Sequence, residues 1–535
     1  MLLNGLWNFS FENEKTIKMP VPSCFDAAGE YFSKRGKAAY WREVECGGYS
    51  ELHLEGLGLR AEIFWDDKKI GEELTAYTPL SIRFDAGKKG VHTLKIVCDN
   101  TIEETPESEF RRFYDFYGFG GIYRDVTLRE LPETSFAYVK IIPADPFAGK
   151  VQLHIELDGP EKPVTAKLSD GSSMEFSGSG DFEFTVKEPK LWSPEAPNLY
   201  TLELTCGADT CSTRFGLRSI ESKNAKLYLN GKELNLVGVN RHDVYPLTGA
   251  AMPYEQLRKD MQMIKAAGMN FVRGSHYPQS TQMLDLADEL GLLVWDESLG
   301  WENPLDSLTN DEFIRRQKSA LTRMIHNSVN HPCIVFWGFL NEGITDDEAA
   351  RRCIAELTAT VKAEDSSRLV TYATMMSDRD KCLDLVDIVS FNTYPGWYGG
   401  THTFFDADIV KTELDRLAEF VQNNPALKDK PMIISEIGAA ALPGDHSGRR
   451  WSEEYQSQLI LATLELIRQD SRYSGVLYWQ FCNTQVDDNG RIMMRPRGYN
   501  NKGLVDEFRK PKLAWHDLQK VLTEKEIRIA DLLSF

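Results

Sequence analysis

Two glutamates draw attention by where they fall. Glu342 closes the apolar run CIVFWGFLNE, and Glu436 lies near the end of MIISEIG. Burying a carboxylate without a partner is expensive, so a pair at the ends of apolar runs suggests chemistry rather than packing. If their surroundings push their pKa values apart, one carboxyl can stay protonated and donate while the other stays ionised and attacks. Other polar groups gather at equivalent places. Further runs end in Asn240-Arg241-His242-Asp243, in Arg273 to Tyr277 with His276 between, in Asp296-Glu297, and in Asn392-Thr393-Tyr394. The last run, VLYWQFCN, carries Trp479 and Asn483.

Something must hold these ends together. After about residue 235 eight short apolar runs alternate with stretches of helical periodicity; in 311–329, for example, Ile314, Leu321, Met324 and Ile325 recur on one face, with Asn310 placed as N-cap. Eight strands alternating with helices predict a (β/α)8 barrel over 219–535, whose C-terminal strand ends form the site. Glu342 then sits on the fourth strand and Glu436 on the seventh, across the mouth from each other. A carboxylic acid facing a carboxylate is the arrangement that glycoside hydrolysis uses. No metal-ligand spacing, phosphate-binding glycine loop or Ser/His/Asp arrangement competes, so neither metal nor cofactor is expected. Before the barrel, alternating strands suggest a jelly-roll-like β-sandwich over 1–132, then a small immunoglobulin-like sandwich over 133–218.

Composition narrows the partners. With 535 residues, 42% hydrophobic and 26% charged, the chain reads as soluble and globular, with more than one core. A net charge of −19 argues against nucleic acid, and obliges any site for an anion to use specific Lys or Arg residues. No run is long enough to span a membrane, and MLLNGLWNFSFENEK lacks the basic and apolar regions of a secretory signal. The nine scattered cysteines read as reduced thiols in a cytoplasmic protein.

Several segments resemble glycoside hydrolase family 2. FWGFLNEG at 336–343 resembles the family's acid/base signature and PMIISEIG at 431–438 its nucleophile strand; GVNRHD, RGSHYP and WDES follow the family's order. GLWNFS and YGFGGIYRDV are similar to its sugar-binding sandwich. Within the family the likeness is to β-glucuronidases. Asn500-Asn501-Lys502-Gly503 matches the Asn-x-Lys motif that holds the sugar carboxylate, NTYPGWY resembles their tyrosine-bearing loop, and RRFYDFYGFGGIYR places Asp115 where the sandwich sends an aspartate into the site.

The resemblance implies a retaining glycosidase acting on a small-molecule or oligosaccharide β-uronide, working as a homo-oligomer. It makes Glu342 the acid/base and Glu436 the nucleophile. Asn341 is expected on the 2-hydroxyl, Tyr394 on Glu436, Trp479 under the sugar, His242 and His276 near it, and Tyr398, Asn500 and Lys502 at the uronate. Glu297 is expected to pair with Arg241 or Arg273. Two departures leave both C4 epimers, glucuronide and galacturonide, open. Pro496, flanked by Arg495 and Arg497, stands where an arginine is usual, and Ile437 follows the nucleophile. Asp115 and the 495–497 segment are expected to approach the C4 hydroxyl from opposite sides. The short segment 299–310 implies an open aglycone side.

Overall fold

Period-two burial builds the first sandwich. In Lys37–Cys46, Ala38, Tyr40, Val44 and Cys46 point inward, and Leu94, Ile96 and Cys98 do the same from the paired strand Gly90–Asp99. These strands are the centre of a six-stranded antiparallel sheet, which a three-stranded sheet of Val126–Glu130, Tyr49–Leu54 and Leu80–Asp85 faces. Trp7, Phe9, Ile63 and Ile96 from one sheet meet Leu52, Leu54 and Leu128 from the other in a single apolar core. A second sandwich follows, a three-stranded sheet from Ser135–Asp145 against a four-stranded one centred on Val164–Leu168 and Tyr200–Cys206. The computed structural model describes residues 1–111, 115–399, 402–487, 495–524 and 529–532, so 112–114 of the segment carrying Asp115 lie outside them.

The eight apolar runs close into a parallel barrel: β1 (Leu236–Arg241), β2 (Phe271–Gly274), β3 (Leu293–Ser298), β4 (Ile334–Asn341), β5 (Leu369–Thr374), β6 (Val389–Asn392), β7 (Met432–Ile437) and β8 (Tyr473–Tyr478). Nearly every residue in them is buried, which is why they read as unbroken apolar runs rather than alternating ones. Helices cover the outside. Asp311–Ser328 begins where expected, with the Asn310 side chain accepting from the N–H groups of Glu312 (2.8 Å) and Phe313 (3.0 Å). It ends one residue earlier than its apolar periodicity suggests, Val329 being the cap.

The first sandwich leans over the barrel mouth. Tyr77 stacks flat on Tyr277, with ring centroids 3.7 Å apart and planes 7° from parallel, and Phe116 lies 4.7 Å from the His242 ring. Tyr77, Phe116 and Tyr277 belong to a separate apolar cluster with Leu59, Phe110, Phe119, Leu299 and Trp301, so the junction has its own core. The second sandwich grips the other end through Arg218, which donates to the carbonyls of Pro332 (3.0 Å) and Ile334 (2.6 Å).

Candidate active site

At the C-terminal end of the barrel strands lies a cavity of about 840 Å³, lined by Asp115, Glu342, Tyr394, Tyr398, Glu436, Trp479 and Lys502 among others. Sequence separation between these residues is large; the barrel brings them together.

Glu436 is held from both oxygens. Arg273 Nη1 donates to Oε1 at 2.7 Å and the Tyr394 hydroxyl to Oε2 at 2.6 Å. Arg273, itself buried, is the hub beneath the site. It forks onto Glu297 with two bonds of 3.0 Å, donates to Asn341 Oδ1 (2.9 Å) and Asn240 Oδ1 (3.1 Å), and lies over the Trp295 ring. Of the two partners left open for Glu297, Arg273 is therefore the one it takes. Burial pushes the Glu436 carboxyl up, while the Arg273 charge and both donated hydrogen bonds oppose that and favour the ionised form.

Glu342 has a different setting. It accepts one hydrogen bond, from Asn392 Nδ2 at 2.8 Å, and no cation comes within ion-pairing distance of it among the described residues. Burial, and then the nearby Glu436 charge, push its carboxyl up to about 8, so it is protonated at neutral pH. Two glutamates in unlike settings thus line one cavity: both carboxyls are raised, but only Glu436 has an arginine and two donated hydrogen bonds that favour its ionised form. Asn392 also donates to Asn341 Oδ1 at 3.0 Å. With Oδ1 taken by Arg273 and Asn392, the buried Asn341 Nδ2 has no partner among the described residues. His276 bonds Glu297 through Nδ1 (3.0 Å) and stacks on Trp479 at 5.0 Å; His242 meets Trp479 edge-on. Burial holds both imidazoles well below their ordinary range and therefore neutral.

The opposite wall is cationic. Lys502 is buried, its ammonium bonded to the Tyr398 hydroxyl at 2.5 Å and set over the rings of Tyr398 and Tyr394 at 4.7 and 5.2 Å. Among the described residues no carboxylate lies within ion-pairing distance of it, and burial pulls its pKa down. Beside it Arg495 forks onto Asp115, with Nε to Oδ1 at 2.8 Å and Nη2 to Oδ2 at 2.5 Å, and reaches the Tyr398 hydroxyl at 3.2 Å. Asn500 Nδ2 donates to the same Asp115 Oδ2 at 2.8 Å.

Two expectations are corrected here. Asp115 and Arg495 do not stand opposite each other; they form one ion pair. Arg497 turns away: its backbone has φ +64°, and its guanidinium pairs with Glu507 (2.8 Å) and Asn501 (3.0 Å). Asn500 stands beside that pair, bonded to Asp115. Asn392 was visible in the sequence as a strand-end residue without a role there, and Arg273 as one of two candidate partners for Glu297. The first two turns of the helix Ala407–Asn423, which line the cavity with Asp408, Ile409 and Thr412, gave no sequence signal because their pattern is that of any surface helix. The barrel also assembles Asp288, His331 and Cys333, which no ligand spacing announced. There both Asp288 oxygens are already bonded, to His331 Nδ1 (2.6 Å) and Cys333 N (2.9 Å).

Known proteins share this architecture. The family model for the TIM barrel domain of glycosyl hydrolases family 2 matches residues 220–527, and a further family 2 model matches 144–218. A putative β-glucuronidase of Formosa agariphila is 29% identical over 88% of this chain, which spans 62% of that protein's length. The crystal structure of a family 2 β-galacturonidase from Eisenbergiella tayi bound to galacturonate superposes with a TM-score of 0.89 and 32% identity, over 98% of this chain and 96% of that one. The β-glucuronidase of Faecalibacterium prausnitzii follows at 0.88 and 26%, over 98% and 97%. With a barrel-domain match over more than half its length, this chain belongs to glycosyl hydrolase family 2.

Proposed function

We propose that the chain is a retaining β-hexuronidase, with β-D-glucuronides as its substrates. The observation that carries this is Lys502: a buried ammonium in the same cavity as both glutamates, with a phenol but, among the described residues, no carboxylate to answer it. A uronate supplies the missing anion, a neutral sugar does not. β-Galacturonide is the second reading, favoured by the 32% identity to a galacturonidase solved with galacturonate.

In the first step Glu436 attacks the anomeric carbon while Glu342 gives its proton to the departing glycosidic oxygen, leaving a glycosyl-enzyme ester and the free aglycone. In the second, ionised Glu342 takes a proton from water, whose oxygen displaces Glu436 and restores both side chains. The unpaired Asn341 amide donates to the 2-hydroxyl, and Trp479 lies against the sugar face. The 840 Å³ cavity sits high in the range of about 300–1,000 Å³ typical of pockets for drug-sized ligands, leaving space for an aglycone beside Trp301, Met375 and Ile409. The nine cysteines are all free, which fits a reducing compartment.

A matched panel of aryl β-glucuronide, β-galacturonide and β-galactoside tests the reading. The expected result is kcat/KM for the better uronide at least about 100-fold above the galactoside, the scale of about one charge-assisted hydrogen bond. Equal rates on the neutral sugar would remove the uronide assignment.

The pH dependence follows from the two carboxyls. Glu436 must be ionised, so activity is lost as pH falls through its pKa. Glu342 must be protonated, so activity is lost as pH rises through about 8. The profile of kcat/KM should be a bell whose alkaline limb disappears in Glu342→Gln when an activated aryl leaving group is used.

A further inference from the structure

The sugar-recognition wall comes from two segments that share no sheet. Asp115 rides on the 101–120 loop of the first sandwich, whereas Arg495, Asn500 and Lys502 follow β8. The loop is stapled at its base by Asp26, which is fully buried and accepts from Asn100 Nδ2 (2.8 Å) and from the Gly120 N–H (3.0 Å), so one carboxylate clasps both stems. Gly120 has no room for a side chain: a Cβ there would lie 2.6 Å from the Phe25 ring and 2.7 Å from Asn100 Cβ. Asn100 Oδ1 also accepts from Gly36 N–H at 2.8 Å, which sets Arg35 against the loop.

Arg35 then touches both segments. Its Nη1 donates to the Gly118 carbonyl, its guanidinium lies 4.2 Å over the Tyr117 ring, and Asp26 is 3.9 Å away. Its Nη2 crosses to Asp487 Oδ2 at 2.8 Å, in the stretch after β8. Beside that bridge the Tyr117 N–H donates to the Gln485 carbonyl at 3.0 Å. The Arg35–Asp487 pair is more than a surface salt bridge, since the two side chains are only 22% and 17% exposed and the guanidinium makes contacts on two edges and one face.

We infer that Arg35 is a positioning residue for sugar recognition, clamping the Asp115 loop to the stretch after β8 so that Asp115, Arg495 and Lys502 meet in one geometry. This rests on the proposed uronide reading of the site. Glu342 and Glu436 stand on barrel strands that Arg35 does not touch, so its loss loosens recognition without disturbing the reacting carboxyls.

The test is steady-state kinetics of the full chain on its better aryl β-uronide. In Arg35→Ala, KM should rise about 10-fold or more while kcat falls less than about 3-fold, because displacing binding groups by about an ångström is costly even far from the chemistry. Arg35→Lys should restore KM only in part, since an ammonium cannot span Gly118 and Asp487 as the planar fork does. A folded Arg35→Ala with unchanged KM overturns the inference, as does an activity loss fully accounted for by a smaller folded fraction. If Arg35→Ala does not fold, Asp487→Asn cuts the bridge from the other side and is judged by the same KM criterion. Lys502→Ala, run in parallel, separates the two proposals. Uronide turnover that survives Lys502→Ala defeats the uronide reading. Its collapse there, beside a normal KM in Arg35→Ala, defeats the clamp alone.

Discussion

Glu436→Gln is expected to lower kcat by about 10⁴-fold or more, since an amide cannot form the glycosyl-enzyme ester. Glu342→Gln should cost about 10²- to 10⁴-fold on a substrate with a poor leaving group, the usual share of general acid catalysis. The two losses differ in kind. An activated aryl uronide, whose phenolate leaves unaided, should spare the first step in Glu342→Gln, so that one equivalent of phenol is released in a burst and glycosyl-enzyme accumulates. Glu436→Gln should show no burst with any leaving group. A burst in Glu436→Gln, or near-normal turnover in either variant, would strip that residue of its role.

Stability separates them as well. Glu342 has its pKa raised in the folded chain, from 4.5 to about 8. Its contribution to stability is therefore fully present below the unfolded value and is lost as pH rises through the folded one. Glu342→Gln escapes that loss, so above neutral pH its Tm should equal or exceed that of the parent. Glu436→Gln faces the reverse problem: Arg273 and Tyr394 both donate to this side chain, and an amide NH2 must meet one of those donors. Its Tm should fall. Thermal unfolding of both variants at pH 6 and pH 9 checks the signs.

Lys502→Ala should lower kcat/KM for the uronide by roughly 30- to 1000-fold, corresponding to about 2–4 kcal/mol for a charge-assisted hydrogen bond in a desolvated pocket. The loss should be selective. Any activity on a neutral β-galactoside should stay level or rise, because a desolvated ammonium beside a neutral hydroxymethyl group is a liability. Nor should the free protein suffer much. Among the described residues no carboxylate is left unpaired when Lys502 goes, and Lys502→Met, which keeps the stem's volume over Tyr394 and Tyr398, controls for the cavity. A uniform small effect on all three glycosides would reduce Lys502 to a packed loop lysine and take both uronide readings with it.

Much of this was legible along the chain because burial and periodicity are local properties. A barrel strand covered on both faces must be a short, unbroken apolar run. Ionisable groups at the ends of such runs, as in FLNE or ISEI, have no reason to be there unless something uses them. The eight strands, the carboxyl pair and the N-cap at Asn310 follow from residue type and local pattern, whereas the Tyr394 contact to Glu436 came from the family resemblance. What a one-dimensional reading cannot supply is which long side chains meet across distant segments. Asp115 and Arg495, separated by 380 positions, were each placed near the sugar, but only the packing of the first sandwich on the barrel mouth turns them into one ion pair. Arg497 is two residues from Arg495, yet a left-handed backbone sends it to Glu507 instead. Arg273 becomes the hub beneath Glu436, and Arg35 reaches Asp487, through guanidinium geometry set by neighbours from several elements. Composition and spacing determined which groups could do the chemistry. Tertiary structure decided their partners, because an ion pair depends on distances of a few ångströms that no sequence separation encodes.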